Sequence, residues 1–179
     1  MARALVVGRF QPFHNGHLAL VAYAIERHGG VVVAIGSAEQ SHTLANPFTA
    51  GERHEMIRES LREAGLLDRA TVVAVPDVNR NPLWVSHVRA WCPPFDVVIT
   101  NNALPRRLFT EAGVRVEGYD LVERATLEGT RIRELILAGG AWRACVPPAV
   151  SRVLDRIGAE ERMRTLAGSD AGAGGPKRA

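Results

Sequence analysis

The chain has 179 residues, 46% of them hydrophobic and 23% charged, and its formal net charge at pH 7 is +3. This length suits one domain with a full hydrophobic core, and the two separated cysteines, Cys92 and Cys145, exclude a disulfide framework and a zinc ribbon. No apolar run is long enough for a membrane span. The arginines are dispersed and only 6% of the residues are aromatic, which argues against a nucleic-acid-binding protein. We therefore expect a cytoplasmic protein that binds neither membrane nor nucleic acid.

Short apolar segments typical of buried strands alternate with helical patterns along the chain. Strands are predicted over residues 3–8, 31–36, 71–75, 96–100 and 113–118. Helices are predicted over about 16–28, from the capping box that starts at Thr49, from Asn81 as N-cap with Pro82 as first helical residue, near 105–111, from Thr130, and in two stretches within 147–166. This alternation predicts an α/β fold, a Rossmann-like doubly wound parallel sheet of about five strands with helices on both faces and a helical C-terminus. We expect one domain over residues 1–167 and a disordered, Gly-rich tail over 168–179.

The loop after the first strand carries the strongest chemical signal. It reads GRFQPFHNGH over residues 8–17, so His14 and His17 flank Gly16 at the start of a helix. A helix N-terminus offers free N–H groups and a positive dipole to an anion, and Gly16 would let a phosphate approach the backbone closely. No third ligand and no HExxH context accompany the two histidines, which argues against a metal pair. We therefore predict a phosphate site here, with no metal ligands from the protein.

This loop resembles the HxGH signature of the nucleotidyltransferase superfamily. Residues 35–53, 81–87 and 93–102 extend the likeness, which runs from about 5 to 166, to the archaeal-type nicotinamide-mononucleotide (NMN) adenylyltransferases. The resemblance implies that Arg9, His14 and His17 are catalytic. It also implies that Gly8, Phe10 and Gly16 contact the nucleotide.

The superfamily's second motif, of Ser-x-Thr-x-x-Arg type, is matched by EGTRIR at residues 128–133. Here Thr130 can cap a helix, and Arg133 projects away from the helix's apolar stripe toward the expected position of the β- and γ-phosphates, which suit its guanidinium fork. Gly129 and Thr130 would contact the nucleotide, and Arg133 is the fourth catalytic residue implied. Glu128 departs from the family, which usually has serine there, and this carboxylate bears on the choice of nucleotide and acceptor.

The resemblance also implies an acceptor site, assigned to Ser37, Ser41, His42, Asn81 and Trp84. In the family, the tryptophan stacks on the nicotinamide ring. The helical spacing of Trp84, Val88 and Trp91 also permits plain core packing.

The segment after the fourth strand contains Asn102 and Arg107, which match family positions near the nucleotide. Asn101 replaces the glycine that is usual there, and its larger side chain would tighten that wall of the pocket.

The resemblance implies direct nucleotidyl transfer, with Mg²⁺ accompanying the nucleoside triphosphate. The favoured reaction is ATP plus NMN giving NAD and pyrophosphate, with His14 and His17 at the α-phosphate and Arg9 and Arg133 on the leaving pyrophosphate. Two alternatives stay open: a CTP-dependent cytidylyltransferase acting on a small phosphate or phosphonate, and a catalytically silent nucleotide sensor. The resemblance also implies a homo-oligomer.

Overall fold

The structure, a computed structural model, describes residues 2–119 and 128–172. Within these residues five parallel strands form one sheet in the order β3-β2-β1-β4-β5. The strands are β1 (Arg3–Gly8), β2 (Gly30–Ile35), β3 (Ala70–Ala74), β4 (Val97–Ile99) and β5 (Arg115–Glu117). The predicted doubly wound parallel sheet is therefore confirmed.

Helices cover both faces of the sheet. They are α1 (Asn15–His28), α2 (Ala50–Glu63), α3 (Asn81–Trp91), α4 (Ala103–Glu111), α5 (Gly129–Ala138), α6 (Pro148–Arg156) and α7 (Ala159–Gly172), with short 3₁₀ turns at Leu67–Arg69 and Trp142–Cys145. Helix α7 includes residues 168–172 of the predicted tail, and residues 173–179 lie outside the described residues. None of the described helices has the length and hydropathy needed to cross a membrane.

The side-chain alternation along β1 divides the core into two parts. Ala4 and Val6 face one side, where the buried residues of α1, α2, α5, α6 and α7 gather. Leu5 faces the other side, where it packs with buried residues of α3 and α4. Because consecutive strand residues point to opposite faces, a strand covered on both sides is apolar throughout, as this one is.

Two predicted helix starts have different outcomes. The capping box is confirmed: the N–H of Glu52 donates to Thr49 Oγ1 at 3.2 Å, and the N–H of Thr49 donates to Glu52 Oε2 at 2.8 Å. The prediction that Asn81 is an N-cap is wrong, because Arg80 is the N-cap and Asn81 is already the first helical residue. Pro82 consequently stands one residue deeper in the first turn, where its missing N–H is still tolerated.

The strand order places the switch point of the fold between β1 and β4. The chain proceeds outward from β1 through β2 to β3, then returns to the other side of β1 for β4. In open parallel sheets, ligands bind beyond the carboxyl ends of the strands at such a point. The loops after β1, β2 and β4 therefore surround the expected site.

Candidate active site

The loop from β1 to α1 is shaped by a buried aromatic ring. Phe10 has φ of +52° and is buried, and its ring covers Gly8, where an added Cβ would lie 2.9 Å from two ring carbons. The same ring meets the imidazole of His17 edge-on, with centroids 4.8 Å apart, and Phe13 stacks on that imidazole at 5.6 Å. Gly8 and Phe10 thus fix the position of His17 by packing.

His14 and His17 form a stacked pair at the N-terminus of α1. Their ring centroids are 3.5 Å apart with an interplanar angle of 24°, and His14 is the N-cap residue. The main-chain N–H of His14 donates to Nδ1 of His17 at 3.3 Å. Since Nδ1 accepts, the neutral His17 carries its proton on Nε2, where it can be donated to an anion.

Both imidazoles are neutral at pH 7. Burial lowers the pKa of His14 to about 4. Burial also lowers the pKa of His17 well below its ordinary value, and the neighbouring charge of His14 would lower it further. Among the described residues, buried Nδ1 of His14 has no hydrogen-bond partner. These are uncharged hydrogen-bonding groups, which leaves the positive charge of the site to arginines.

Arg133 is buried and connects α5 to two loops. Its Nη1 donates to the carbonyl oxygen of Gln11 at 2.8 Å, and its Nε donates to the carbonyl oxygen of Leu44 at 3.1 Å. Thr130 does not cap the helix as predicted: Glu128 is the N-cap residue, and Thr130 Oγ1 accepts from Nη2 of Arg133 at 3.2 Å. The prediction failed because the N-cap lies two residues earlier, which places Thr130 inside the first turn, where its hydroxyl meets Arg133 three residues further on.

Gly129 is required by the close passage of two chain segments. A Cβ added there would lie 3.3 Å from the carbonyl oxygen of Gln11 and 3.3 Å from Nη1 of Arg133. This contact seats the start of α5 on the β1–α1 loop. Both predicted motifs therefore meet in space, although more than a hundred residues separate them in the chain.

Arg53 organises the site and was missed by the sequence analysis. It is fully buried on α2, and its guanidinium donates to carbonyl oxygens of three different segments. The acceptors are Thr49 at 3.2 Å, Arg9 at 2.9 Å, Gly36 at 2.9 Å, Ser37 at 3.0 Å, Ala38 at 3.4 Å and Gln40 at 3.4 Å. One side chain thus holds the loop after β1 against the loop after β2.

The three arginines Arg9, Arg53 and Arg133 form a positive cluster. Within residues 2–119 and 128–172, none of them has a carboxylate at ion-pair distance. Burial lowers the pKa of both Arg53 and Arg133, and the positive charge of Arg9 lowers each of them too. Arginine nevertheless stays protonated in proteins. Carboxylates such as Glu39 and Asp77 act on Arg53 only from beyond ion-pair distance, so this guanidinium cluster at the carboxyl edge of the sheet favours a polyanionic ligand.

Of the predicted acceptor residues on the β2–α2 loop, Ser37 contacts this cluster. Ser37 and His42 have φ of +47° and +58°, so the loop turns sharply at both. The carbonyl of Ser37 accepts from Arg53, and Ser41 Oγ lies 2.9 Å from Nδ1 of His42. Arg53 thereby determines where this loop presents its polar groups.

The two predicted acceptor residues on α3 are positioned differently. Asn81 is exposed at the helix start, while Trp84 is partly buried with its ring edge-on to Phe109 at a centroid distance of 5.2 Å. Core packing therefore occupies part of the indole. Stacking of Trp84 on a nicotinamide ring stays a prediction.

The residues after β4 have structural partners of their own. Asn102 is the N-cap of α4, where its Oδ1 accepts from the N–H of Leu104 at 3.2 Å. Arg107 is exposed and pairs with Glu111 at 2.7 Å one turn further along α4. Their contact with a nucleotide stays a prediction.

Asn101 has backbone partners of its own, and its effect on the wall of the pocket stays a prediction. Its Nδ2 donates to the carbonyl of Tyr119, and its Oδ1 accepts from the N–H of Tyr119 at 3.0 Å. A Cβ on Gly118 would come within 3.3 Å of the same Oδ1. The amide joins the end of β4 to the residue after β5, because a side chain of this length reaches the neighbouring backbone.

No group of three His, Cys, Asp or Glu side chains suited to a metal ion occurs in the described part of the chain. The donor set of this site is cationic and neutral nitrogen, which suits phosphate oxygens better than a hard cation such as Mg²⁺ or Ca²⁺.

Comparison with known proteins agrees with this geometry. Residues 5–135 match the cytidylyltransferase-like family. Nicotinamide-nucleotide adenylyltransferases from Picrophilus torridus, Methanoculleus marisnigri and Thermoplasma acidophilum are 50%, 47% and 46% identical, over 94%, 95% and 94% of this chain and 99%, 100% and 93% of their own lengths.

The fold also matches a solved structure. A bifunctional NMN adenylyltransferase/ADP ribose pyrophosphatase from Francisella tularensis, complexed with AMP and a manganese ion, superposes with a TM-score of 0.76 at 21% identity. The match covers 95% of this chain and 53% of that one, so this chain spans about half of that protein. This chain is a nucleotidyltransferase that belongs to the cytidylyltransferase-like family and, within it, to the nicotinamide-nucleotide adenylyltransferases.

Proposed function

We propose that this chain transfers the adenylyl group of ATP to the 5′-phosphate of NMN, which forms NAD and releases pyrophosphate. The observation that carries the proposal is the cluster of Arg9, Arg53 and Arg133 with no carboxylate at ion-pair distance in the described residues, next to two neutral imidazoles at a helix N-terminus. The names of the relatives support ATP and NMN as the substrates. Magnesium would enter bound to the triphosphate, as part of that substrate.

The transfer needs no nucleophile from the protein. A phosphate oxygen of NMN, already anionic, attacks the α-phosphorus of ATP, while the bond from that phosphorus to the bridging oxygen breaks and its electrons leave with pyrophosphate. The chain's residues align the two polyanions and stabilise the charge that develops. His17 Nε2–H and the N-terminus of α1 would serve the α-phosphate. Arg9 and Arg133 would serve the β- and γ-phosphates.

Asn101 has structural contacts that do not depend on the choice of substrates. Its departure from the family was one reason to consider CTP with a small phosphate or phosphonate acceptor. Its amide instead bonds the backbone of Tyr119.

We also propose that the protein assembles as a homo-oligomer, which light scattering coupled to gel filtration would test.

The decisive experiment measures pyrophosphate release with Mg²⁺, crossing ATP and CTP against NMN and a panel of small phosphates and phosphonates. We expect release with ATP and NMN, accompanied by an equal amount of NAD. Release with CTP and a small acceptor would contradict the proposed substrates but keep the reaction type. Nucleotide binding without any release would contradict catalysis and support the sensor.

A further inference from the structure

A chain of side-chain hydrogen bonds leads to Arg9 from the segment after β3. Asp77 Oδ2 accepts from Nε2 of Gln40 at 2.9 Å, and Oε1 of Gln40 accepts from Nδ2 of Asn46 at 2.9 Å. Oδ1 of Asn46 then accepts from Nη1 of Arg9 at 3.3 Å. We call Asp77, Gln40 and Asn46 the amide relay.

The chemistry of its two ends fixes the direction of the relay. A carboxylate only accepts hydrogen bonds, so Gln40 must present its NH₂ group to Asp77 and its oxygen to Asn46. Asn46 must then present its own NH₂ group to Gln40, which leaves its oxygen for Arg9. A guanidinium only donates, so the last acceptor matches it. Turning either amide over would break the bonds on both of its sides.

Asn46 is the rigid member of the relay. It is 6% exposed, and its main-chain N–H donates to the carbonyl oxygen of Thr43 at 3.1 Å and to Thr43 Oγ1 at 3.0 Å. Arg9, in contrast, is exposed and makes this one side-chain hydrogen bond among the described residues. The buried amide therefore limits where a long and otherwise mobile side chain points.

The relay orients Arg9 without cancelling its charge. The residue in contact with the guanidinium is a neutral amide, and the carboxylate that fixes the amide's direction lies two side chains away. A carboxylate in direct contact would compete with phosphate for the same N–H groups. An amide leaves the full positive charge for an incoming anion.

We propose that Asp77, Gln40 and Asn46 are positioning residues that hold the Arg9 guanidinium ready for the phosphates of the nucleoside triphosphate. The proposal deepens the proposed function and rests on it for the identity of the nucleotide. The three residues would act through Arg9 and touch no substrate. They join the loops after β1, β2 and β3 into one unit at the edge of the site.

The test is a double-mutant cycle between the relay and Arg9. Gln40→Leu and Asn46→Leu are each made alone and together with Arg9→Ala, and MgATP affinity by calorimetry is measured beside the kinetics of NAD formation. We expect each single relay variant to weaken MgATP binding and to lower kcat/KM for ATP by about tenfold. In the Arg9→Ala background the same substitutions should change either quantity by less than about twofold.

Ala45→Leu is the matched control, because it places the same leucine on an exposed residue of the same turn and leaves every relay side chain and the Thr43–Asn46 bonds in place. It should bind MgATP as the parent chain does, which separates the relay from general damage to the loop.

Gln40 is exposed, so Gln40→Leu keeps the test valid if Asn46→Leu fails to fold. Unchanged MgATP affinity in the Gln40→Leu variant, or an equal loss in the Arg9→Ala background, would overturn the proposal. A parent chain that binds MgATP but makes no NAD would contradict the proposed function alone, since the binding cycle still tests the relay.

Discussion

The N–H of His14 donates to Nδ1 of His17 over 3.3 Å, and this bond determines which nitrogen of His17 carries the proton. The backbone of one motif histidine thus sets the tautomer of the other. Packing completes the arrangement, because the rings of Phe10, Phe13 and His14 all contact the His17 imidazole. A neutral donor whose orientation is fixed before the substrate arrives needs no reorganisation in the transition state.

Replacing His17 by alanine should abolish most turnover and leave the fold intact. Loss of one oriented donor to developing charge typically costs about 10²–10³ in kcat. Rate measurements by NAD formation would show the loss, and circular dichroism would show an unchanged spectrum. His54→Ala is the matched control, since His54 lies on α2 outside the motif and should keep normal rates. Normal turnover by the His17 variant would refute its assigned role.

Acidification should destabilise the protein through His14. Its pKa is about 4 in the folded chain against an ordinary value of 6.5, so the unfolded chain binds more protons between these two values. Stability therefore falls as the pH decreases from about 6.5 toward 4, and His14 alone should account for about 2 kcal/mol by pH 5. His17 acts in the same direction.

Denaturant unfolding at pH 7 and pH 5 would measure this loss. The variant His14→Gln keeps a polar side chain but cannot titrate, so its stability should depend less on pH over the same interval. Equal pH dependence in the parent and the variant would contradict the lowered pKa of His14.

The alternation of strands and helices could be predicted because the pattern of apolar residues within each segment reflects how that segment is buried. β1 and β2 are apolar throughout since both faces are covered, and Thr49 with Glu52 forms a capping box within four residues. Both signals are local in the chain. The start of α3 was misplaced by one residue, because proline is tolerated at either of the first two helical positions.

Arg53 could not be recognised from local patterns, because its acceptors belong to segments that fold together only in three dimensions. One signal was present. Arg53 stands four residues before Ile57 and eight before Leu61, on the face of α2 that is buried. A charged residue in line with an apolar stripe indicates a buried polar contact. For Thr130 the local pattern was misleading, since its hydroxyl accepts a hydrogen bond from Arg133 and does not cap the helix.

Removing the Arg53 guanidinium should damage both stability and nucleotide binding. The variant Arg53→Met keeps the aliphatic stem but removes the donor to the part-buried carbonyl oxygens of Arg9 and Gly36, and each such group costs about 1–3 kcal/mol. We expect the free energy of unfolding to fall by at least about 2 kcal/mol and MgATP binding to be lost. Arg58→Met on the exposed side of the same helix should change stability by less than about 0.5 kcal/mol. Thermal unfolding and calorimetry would measure both effects, and equal behaviour of the two variants would contradict the role of Arg53.

Gly8→Ala should lower turnover through Phe10. The new Cβ would lie 2.9 Å from two carbons of the Phe10 ring, which is buried and contacts the His17 imidazole, so the ring must shift and release that imidazole. We expect kcat to fall about tenfold or more, since small displacements of catalytic groups are costly. Gly51→Ala is the matched control, because its Cβ would meet only Thr49 Oγ1 at 3.9 Å in the first turn of α2, where alanine favours the helix. Steady-state rates of the two variants decide the matter: parent-like turnover by Gly8→Ala would show that Phe10 does not hold His17 in place.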